Sequence, residues 1–391
     1  MENLIIYLGQ FSFPYGQAAS KRVLGNVKVL RALGYNIIVG HGGDLSHEII
    51  DIGAYNLGCY GLGELFQGKN KVLKLYSHIF LSGKNTIDWL SSLEVKPKFI
   101  ICYGGYYSYS RRILNYCKKN DIKLIFDLVE WYEPNQMLGG KYGFFYNSFL
   151  LAFNRVYPKA DGIVAISRNL EHVFSNNISV VIPPLEAIVS QEIIETKKNN
   201  LLTLVYAGNI GNKDYLLNII HAVSRLEKSH NLLLKIYGPT ENEIKTKFNL
   251  DVIPNSVKIF GKVDQEKING YINSADFTIF TRPDSHCNKY GFPSKFVESL
   301  SLGVPVATNL TSDLGLYLKD EYNGFIIDEI TIESIESTIF RMLKLSDNQK
   351  IEMKKNALKT VDECFSSQSS ALKKSIADFL YMIERPKDGK A

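Results

Sequence analysis

Asn288-Lys289-Tyr290-Gly291-Phe292-Pro293-Ser294-Lys295-Phe296-Val297-Glu298-Ser299-Leu300-Ser301-Leu302-Gly303-Val304-Pro305-Val306 is the most specific stretch of the chain. Gly291 and Pro293 make a loop that enters a helix, and Gly303 with Pro305 ends the helix and opens a strand. The apolar run Phe277 to Phe280 ahead of it reads as the preceding strand, so the order is strand, loop, helix, strand. That order is the repeating unit of a parallel sheet covered by helices. Ser294, Lys295 and Glu298 fall in the first turns of the helix, with Ser294 and Glu298 on one face at i and i+4. A carboxylate placed there can accept two hydrogen bonds from a vicinal diol such as ribose, while Lys295 and the helix amides meet phosphate. As a bland alternative, Glu298 is a surface or capping acid.

Outward from this stretch the same alternation continues. Strands are expected at Leu202 to Ala207, Leu232 to Tyr237, Val257 to Phe260 and Val304 to Thr308, followed by helices over Thr331 to Leu345 and Ser367 to Ile383. Towards the N-terminus, Leu4 to Leu8, Ile37 to Val39, Phe99 to Cys102, Leu124 to Phe126 and Ile163 to Ile166 read as strands. Helices are expected over Ala18 to Leu33 and near Ser108 to Lys118. Ile178 to Ile182 leads into Pro183-Pro184 and then a polar, irregular stretch. A chain of 391 residues exceeds the usual reach of one core, so two domains follow. The expected fold is α/β with two doubly wound, Rossmann-like domains facing a cleft. The first spans 1–185, a linker 186–200, and the second 201–365; a C-terminal helix over 366–391 can return to the first domain.

With 45% hydrophobic and 22% charged residues the chain can bury a substantial core. The formal net charge of +5 is far below that of a dedicated nucleic-acid binder, so no nucleic-acid partner is expected. Cys59, Cys102, Cys117, Cys287 and Cys364 are scattered without zinc or disulfide spacing and read as reduced thiols of the cytoplasm. The N-terminal segment lacks a basic region before its apolar run and reads as a first strand, not a secretion signal. The most apolar segment, around Phe144 to Phe153, falls short of the roughly 18 residues needed to span a bilayer, so any membrane contact would be peripheral.

Other motifs fall at strand ends, where open α/β sheets bind ligands. The loop from Gly9 through Gly16 and Gln17 to Ser20 leads from the first strand into the first helix and gives a ligand close backbone approach. The loop Gly208-Asn209-Ile210-Gly211-Asn212-Lys213 is its counterpart in the second domain, with Lys213 a point charge for a diphosphate. A plain turn and an exposed lysine are the competing readings of these two loops. In Phe126-Asp127-Leu128-Val129-Glu130-Trp131-Tyr132-Glu133, acids beside aromatic rings suit a sugar, and Asp127 or Glu130 is a candidate general base or acceptor-orienting group. Tyr142, Phe144, Phe145, Tyr146, Phe149 and Phe153, edged by Lys141, Arg155 and Lys159, suit either a membrane interface or, by helical spacing, a core. No Asp-x-Asp occurs, so a metal-bridged diphosphate is not indicated and no cofactor is expected.

Tyr290 to Glu298 resembles the E-x7-E region of family 4 glycosyltransferases, retaining enzymes with the GT-B fold. Weaker similarity extends over Pro14 to Val23, Asp161 to Ser167, Ile182 to Leu185 and Asn323 to Ile327. The resemblance implies a nucleotide-sugar donor on the second domain and a glycan or lipid-linked glycan acceptor on the first. The context it implies is surface-polysaccharide assembly at the inner face of a bacterial membrane. By the same resemblance Glu298 takes the nucleotide ribose, and Lys213 the diphosphate. The chain departs from the family at Tyr290, where the resemblance expects a glutamate meeting the donor sugar, and at Asn209, where it expects an arginine. Those departures leave a non-catalytic nucleotide-sugar-binding partner, or a nucleotide-sugar epimerase, as alternatives.

Overall fold

The computed structural model describes residues 3–14, 18–53, 55–65, 68, 70–186, 201–211 and 214–385. The chain divides into two compact units, 1–185 with 367–391, and 186–366.

The first unit is built on β1 (Leu4–Gly9), β2 (Asn36–His41), β3 (Ser46–Asp51), β4 (Asn56–Gly61), β5 (Phe99–Tyr103), β6 (Lys123–Leu128), β7 (Gly162–Ala165) and β8 (Ile178–Val181). Its helices are α1 (Ala18–Ala32), α2 (Lys71–Tyr76), α3 (Lys84–Ser92), α4 (Tyr107–Lys119), α5 (Phe144–Arg155) and α6 (Arg168–Val173). The eight strands lie in the order β3-β4-β2-β1-β5-β6-β7-β8. All pairings are parallel except the edge pair β3 and β4, which is antiparallel. β1 is buried along its whole length, as a strand with helices on both faces must be. The order reverses between β1 and β5, and the crevice beyond the carboxyl ends at such a switch point is where ligands of this sheet type bind.

The second unit holds β9 (Leu202–Ala207), β10 (Leu232–Tyr237), β11 (Val257–Gly261), β12 (Phe277–Ile279), β13 (Val306–Thr308) and β14 (Gly324–Ile326). Its helices are α7 (Leu216–Leu226), α8 (Glu241–Phe248), α9 (Gln265–Asn273), α10 (His286–Tyr290), α11 (Ser294–Ser301), α12 (Ile332–Leu343) and α13 (Asp347–Cys364). All its strands pair in parallel in the order β11-β10-β9-β12-β13-β14, so its switch point lies between β9 and β12.

The last helix, α14 (Ser370–Glu384), packs on the first sheet. Ile376, Phe379, Leu380 and Ile383 join a core cluster with Val164, Val180 and Ile182. The fit is close: a Cβ at Gly162 would come 2.4 Å from Ile383 and 2.8 Å from Phe379. The chain is therefore a mixed α/β protein of two Rossmann-like sheets.

Candidate active site

In the second unit the switch point is bounded by the loops that leave β9 and β12 and by the start of α11. Gly208 ends β9 at φ +153°, and a side chain there would strike Lys295, since its Cβ would lie 2.4 Å from Nζ. Gly238 ends β10 at φ +121°, and its Cβ would sit 2.3 Å from the carbonyl oxygen of Gly208. Both positions favour glycine through their positive φ, and at Gly238 the obstacle is the fixed backbone of Gly208, whereas at Gly208 it is the movable end of Lys295.

Lys295 stands in the first turn of α11, with its ammonium on the Asp214 carboxylate, 3.4 Å from the Tyr206 hydroxyl and 4.4 Å above the Tyr206 ring. Tyr206 donates to Asp214 Oδ2 at 2.8 Å, and Arg282 brings Nε to 3.5 Å from Asp214 Oδ1. Asp214 is 5% exposed, Arg282 12% and Lys295 23%, so two cations surround one carboxylate and Lys295 keeps the best access to solvent. Burial alone would raise the Asp214 carboxyl, but Lys295 and Arg282 outweigh it and hold the group below its ordinary value. The cluster carries one net positive charge at a sheet's switch point, beside helix amides that no side chain caps. That arrangement suits an anion such as a phosphate.

Arg282 is fixed from behind. Its backbone N–H donates to Asn309 Oδ1 at 2.8 Å, its carbonyl accepts from Asn309 Nδ2 at 2.9 Å, and Nη1 lies 3.4 Å from Asn288 Oδ1. Asn288 is 1% exposed and donates to the Pro283 carbonyl at 2.9 Å. The loop after β12 is thus a rigid mount for the guanidinium. Neither Arg282 nor Asp214 stood among the residues expected from sequence. The available signal for Arg282 was its place just past the apolar run Phe277 to Phe280, at a strand's carboxyl end.

The expected residues distribute as follows. Glu298 lies one turn into α11, and Ser294 opens that helix. Tyr290 closes the short α10, its ring 5.7 Å from that of His286. The Asn209 carbonyl accepts from the Tyr206 hydroxyl at 3.3 Å, and Lys247 pins the same loop through the carbonyls of Ile210 and Gly211 at 2.9 Å each. The Gly291 carbonyl accepts from the Ser312 hydroxyl. The Phe292 ring is 7% exposed and packs on Tyr317 and Phe365 at 5.8 and 5.9 Å, so its side chain anchors the loop. Pro293 is likewise buried, at the N-cap of α11. Gly16, Gln17 and Lys213 lie outside the described residues.

Asp127 lies in the interior of the first unit. Its side chain is fully buried, and it accepts from Arg22 Nη2 at 2.6 Å, Arg22 Nε at 2.9 Å, Asn26 at 3.3 Å and the Tyr7 hydroxyl. Arg22 Nη1 donates onward to the Ile182 carbonyl at 2.8 Å. The carboxylate therefore ties α1 to β1, β6 and the end of β8. In this arrangement it serves as a structural anchor.

Glu130 follows β6 at the edge of a cavity of about 240 Å³ lined by Gln10, Tyr103, Tyr106, Glu130, Tyr132 and Tyr157, among others. This cavity opens at the carboxyl ends of β1, β5 and β6, beside the first sheet's switch point. Tyr157 fixes its floor, accepting from the Gly105 N–H at 3.0 Å and donating to the Gly105 carbonyl at 2.6 Å. The Tyr132 phenol is pushed well above its ordinary value, by burial first and then by the charge of Glu130, to which it is hydrogen-bonded. Rings and a carboxylate around a small cavity suit the hydroxyls and apolar faces of a sugar. If Glu130 acts as a general base, Glu130→Gln lowers kcat by roughly 10²-fold or more; unchanged turnover in a folded variant removes it from the catalytic list.

The aromatic stretch divides. Phe149 and Phe153 are 5% and 3% exposed, the first edge-on to Tyr132 and the second tilted against Trp131, while Phe144, Phe145 and Tyr146 are half-buried and Tyr142 stands out at 91%. Among the described residues no helix is long and apolar enough to cross a membrane, and no group of three or more His, Cys, Asp or Glu side chains could hold a metal ion.

The fold is that of the GT-B glycosyltransferases. Sucrose-phosphate synthase from Thermosynechococcus elongatus superposes with a TM-score of 0.68 at 12% identity, over 98% of this chain and 99% of that one. A glycosyltransferase from Rickettsia africae gives 0.67 at 15%, over 99% and 100%. HepE of Anabaena, solved with UDP and glucose, gives 0.66 at 14%, over 97% and 100%. Residues 190–360, within the second unit, match the family model of glycosyl transferases group 1, which supports a glycosyltransferase. No curated protein matches the chain.

Proposed function

We propose that the protein transfers a hexose from a nucleoside diphosphate donor to a hydroxyl of a glycan or lipid-linked glycan, with retention, in the manner of family 4 enzymes. The observation that carries this reading is the Arg282, Lys295 and Asp214 cluster at the switch point of the second sheet, inside the segment that matches the glycosyltransferase model. The diphosphate is taken by Lys295, Arg282 and the amides of α11, together with Lys213. Preformed positive charge of this kind stabilises the leaving diphosphate as the sugar bond breaks. Glu298 takes the ribose and Tyr290 stands on the sugar side. The tyrosine-lined cavity of the first unit, with Glu130 at its edge, takes the acceptor. Surface-polysaccharide assembly on the cytoplasmic side of the membrane is the setting we assign. HepE, a structural neighbour, was solved with UDP and with UDP-glucose, which supports a uridine donor as the first to test.

Asn209 in place of an arginine favours, on its face, a non-catalytic binder. Arg282 supports transfer instead, because it brings a guanidinium to the Asp214 carboxylate that also holds Lys295. The test is thermal: a ligand that binds only the native state raises the unfolding midpoint, by about 2.7 kcal/mol of stabilisation at a hundredfold excess over Kd. A screen of nucleotides and nucleotide sugars should show one base family with a clear upward shift. No shift across the whole screen would refute the reading.

A further inference from the structure

Four strands lie at the edges of the two sheets, and three of them are shielded. β8 lies against α14, β14 is three residues long, and β11 carries the exposed Lys258. A covering helix, a very short edge and an edge lysine each keep a strand from pairing with another chain. β3 has no such protection among the described residues. Its six residues are almost wholly in solvent and pair with β4 without a bulge, and no proline, lysine or arginine falls between Asp44 and Tyr55. Ile49 stands 70% exposed and Leu45, just ahead of the strand, 79%. An open edge of this kind is a template for a further strand.

Hydrogen-bond phase and charge identify the occupant. The Ile52 N–H donates to the Tyr55 carbonyl at 3.0 Å, so that pair is a hydrogen-bonded one. Bonded pairs recur at every second residue of an antiparallel ladder, so Glu48 and Ile50 spend their backbone groups on Cys59 and Leu57 of β4, while His47, Ile49 and Asp51 turn theirs outward. The Leu62 N–H donates to the His41 carbonyl at 2.9 Å, which gives the even-numbered residues of β4 to β2 and agrees with that phase. β3 of a second copy, run antiparallel, presents free groups at the same spacing. A two-fold axis perpendicular to the sheet keeps like faces together, so the open alignments set odd residues against odd. The alignment centred on Ile49 puts Ile49 against Ile49 and His47 against Asp51 twice. The His47 ring is already stacked on Tyr60 at 4.2 Å, and Asp51 Oδ1 accepts from the Gly53 N–H at 2.8 Å, so both polar groups are held in place. A shift of two residues one way sets Glu48 against Glu48, and the other way sets Ile49 against Asp51; each loses both His47 and Asp51 pairs. Opposite charges directly across a ladder favour pairing and like charges oppose it. We propose that the protein self-associates as a two-fold dimer through β3, joining two first-unit sheets edge to edge in the register centred on Ile49. One short strand pair is a small interface, so the dimer is reversible, with a micromolar Kd. It uses no residue assigned to donor or acceptor, and stands or falls separately from the functional reading.

Sedimentation velocity of the full chain without nucleotide, over a series from about 1 to about 300 μM, tests this; the average mass should move from monomer towards dimer as concentration rises. Ile49→Lys should raise Kd roughly tenfold or more, because it sets two ammonium groups against each other on the two-fold axis. His47→Asp should raise it by a similar factor, and adding Asp51→Lys should bring it back to within about threefold of wild type, since opposite charges then face each other in the reversed sense. All three side chains are exposed, and an unchanged unfolding midpoint verifies that each variant is folded. The proposal is overturned if the wild-type chain stays monomeric across the series, or if Ile49→Lys dimerises as wild type does. It is overturned equally if the charge exchange brings no recovery, because another register or another surface then holds the dimer.

Discussion

Lys295→Met is expected to lower kcat/KM for the donor by roughly 10² to 10³, the usual cost of losing one preorganised charge from a site of this kind. The ammonium is the most solvent-accessible member of a cluster whose other cation, Arg282, is more deeply placed. In the unliganded protein Lys295 rests on Asp214, and a diphosphate arriving at α11 competes for it. The variant has a second effect, on stability, because the Asp214 carboxylate loses its main partner inside the fold. Lys295→Met combined with Asp214→Asn separates the two: the double variant should regain much of the lost stability while turnover stays low. Steady-state kinetics on both variants, with unfolding curves, would check this. If Lys295→Met turns over within a factor of three of wild type, the ammonium does not act on the leaving group.

The second large effect is expected far from that site. Arg22→Met leaves Asp127 in the interior without its cation, and removing one partner of a buried pair costs about 3–5 kcal/mol. Tyr7 and Asn26 still donate to the carboxylate, but neither neutralises it. Denaturant unfolding should show a midpoint lowered accordingly. Replacing both members, as Arg22→Met with Asp127→Asn, should cost less than the sum of the two single changes, since no isolated charge remains. A loss under about 1 kcal/mol in Arg22→Met would contradict the anchor role.

These two residues show how unevenly the sequence exposes its meaning. The central parallel strands, such as β1, β6 and β7, were legible because they are buried on both faces and read as short apolar runs, whereas β4, parallel to β2 but partly exposed and carrying Asn56, Gly58 and Gly61, was not. β3, Ser-His-Glu-Ile-Ile-Asp, was not, since it is an edge strand almost wholly in solvent and carries no such run. The strand, loop, helix and strand around Tyr290 to Val306 were readable from Gly291, Pro293, Gly303 and Pro305. What those positions could not reveal is that Phe292 turns into the core, a consequence of Tyr317 and Phe365 arriving from later segments. Asp127 resembled a surface acid past a strand because its partner Arg22 belongs to α1, and only the sheet order brings them together. Arg282, Asp214 and Lys295 likewise meet through topology, at the point where β9 and β12 lie side by side.

The central claim is sugar transfer from a nucleoside diphosphate donor, and product analysis tests it most directly. Incubation with a stabilising nucleotide sugar and a panel of glycan and lipid-linked acceptors should release free nucleoside diphosphate only when acceptor is present. An acceptor longer by one sugar, joined with the donor's anomeric configuration, should appear in equal amount. A donor that is bound but recovered unchanged across the panel, or recovered as its epimer without diphosphate release, would contradict transfer.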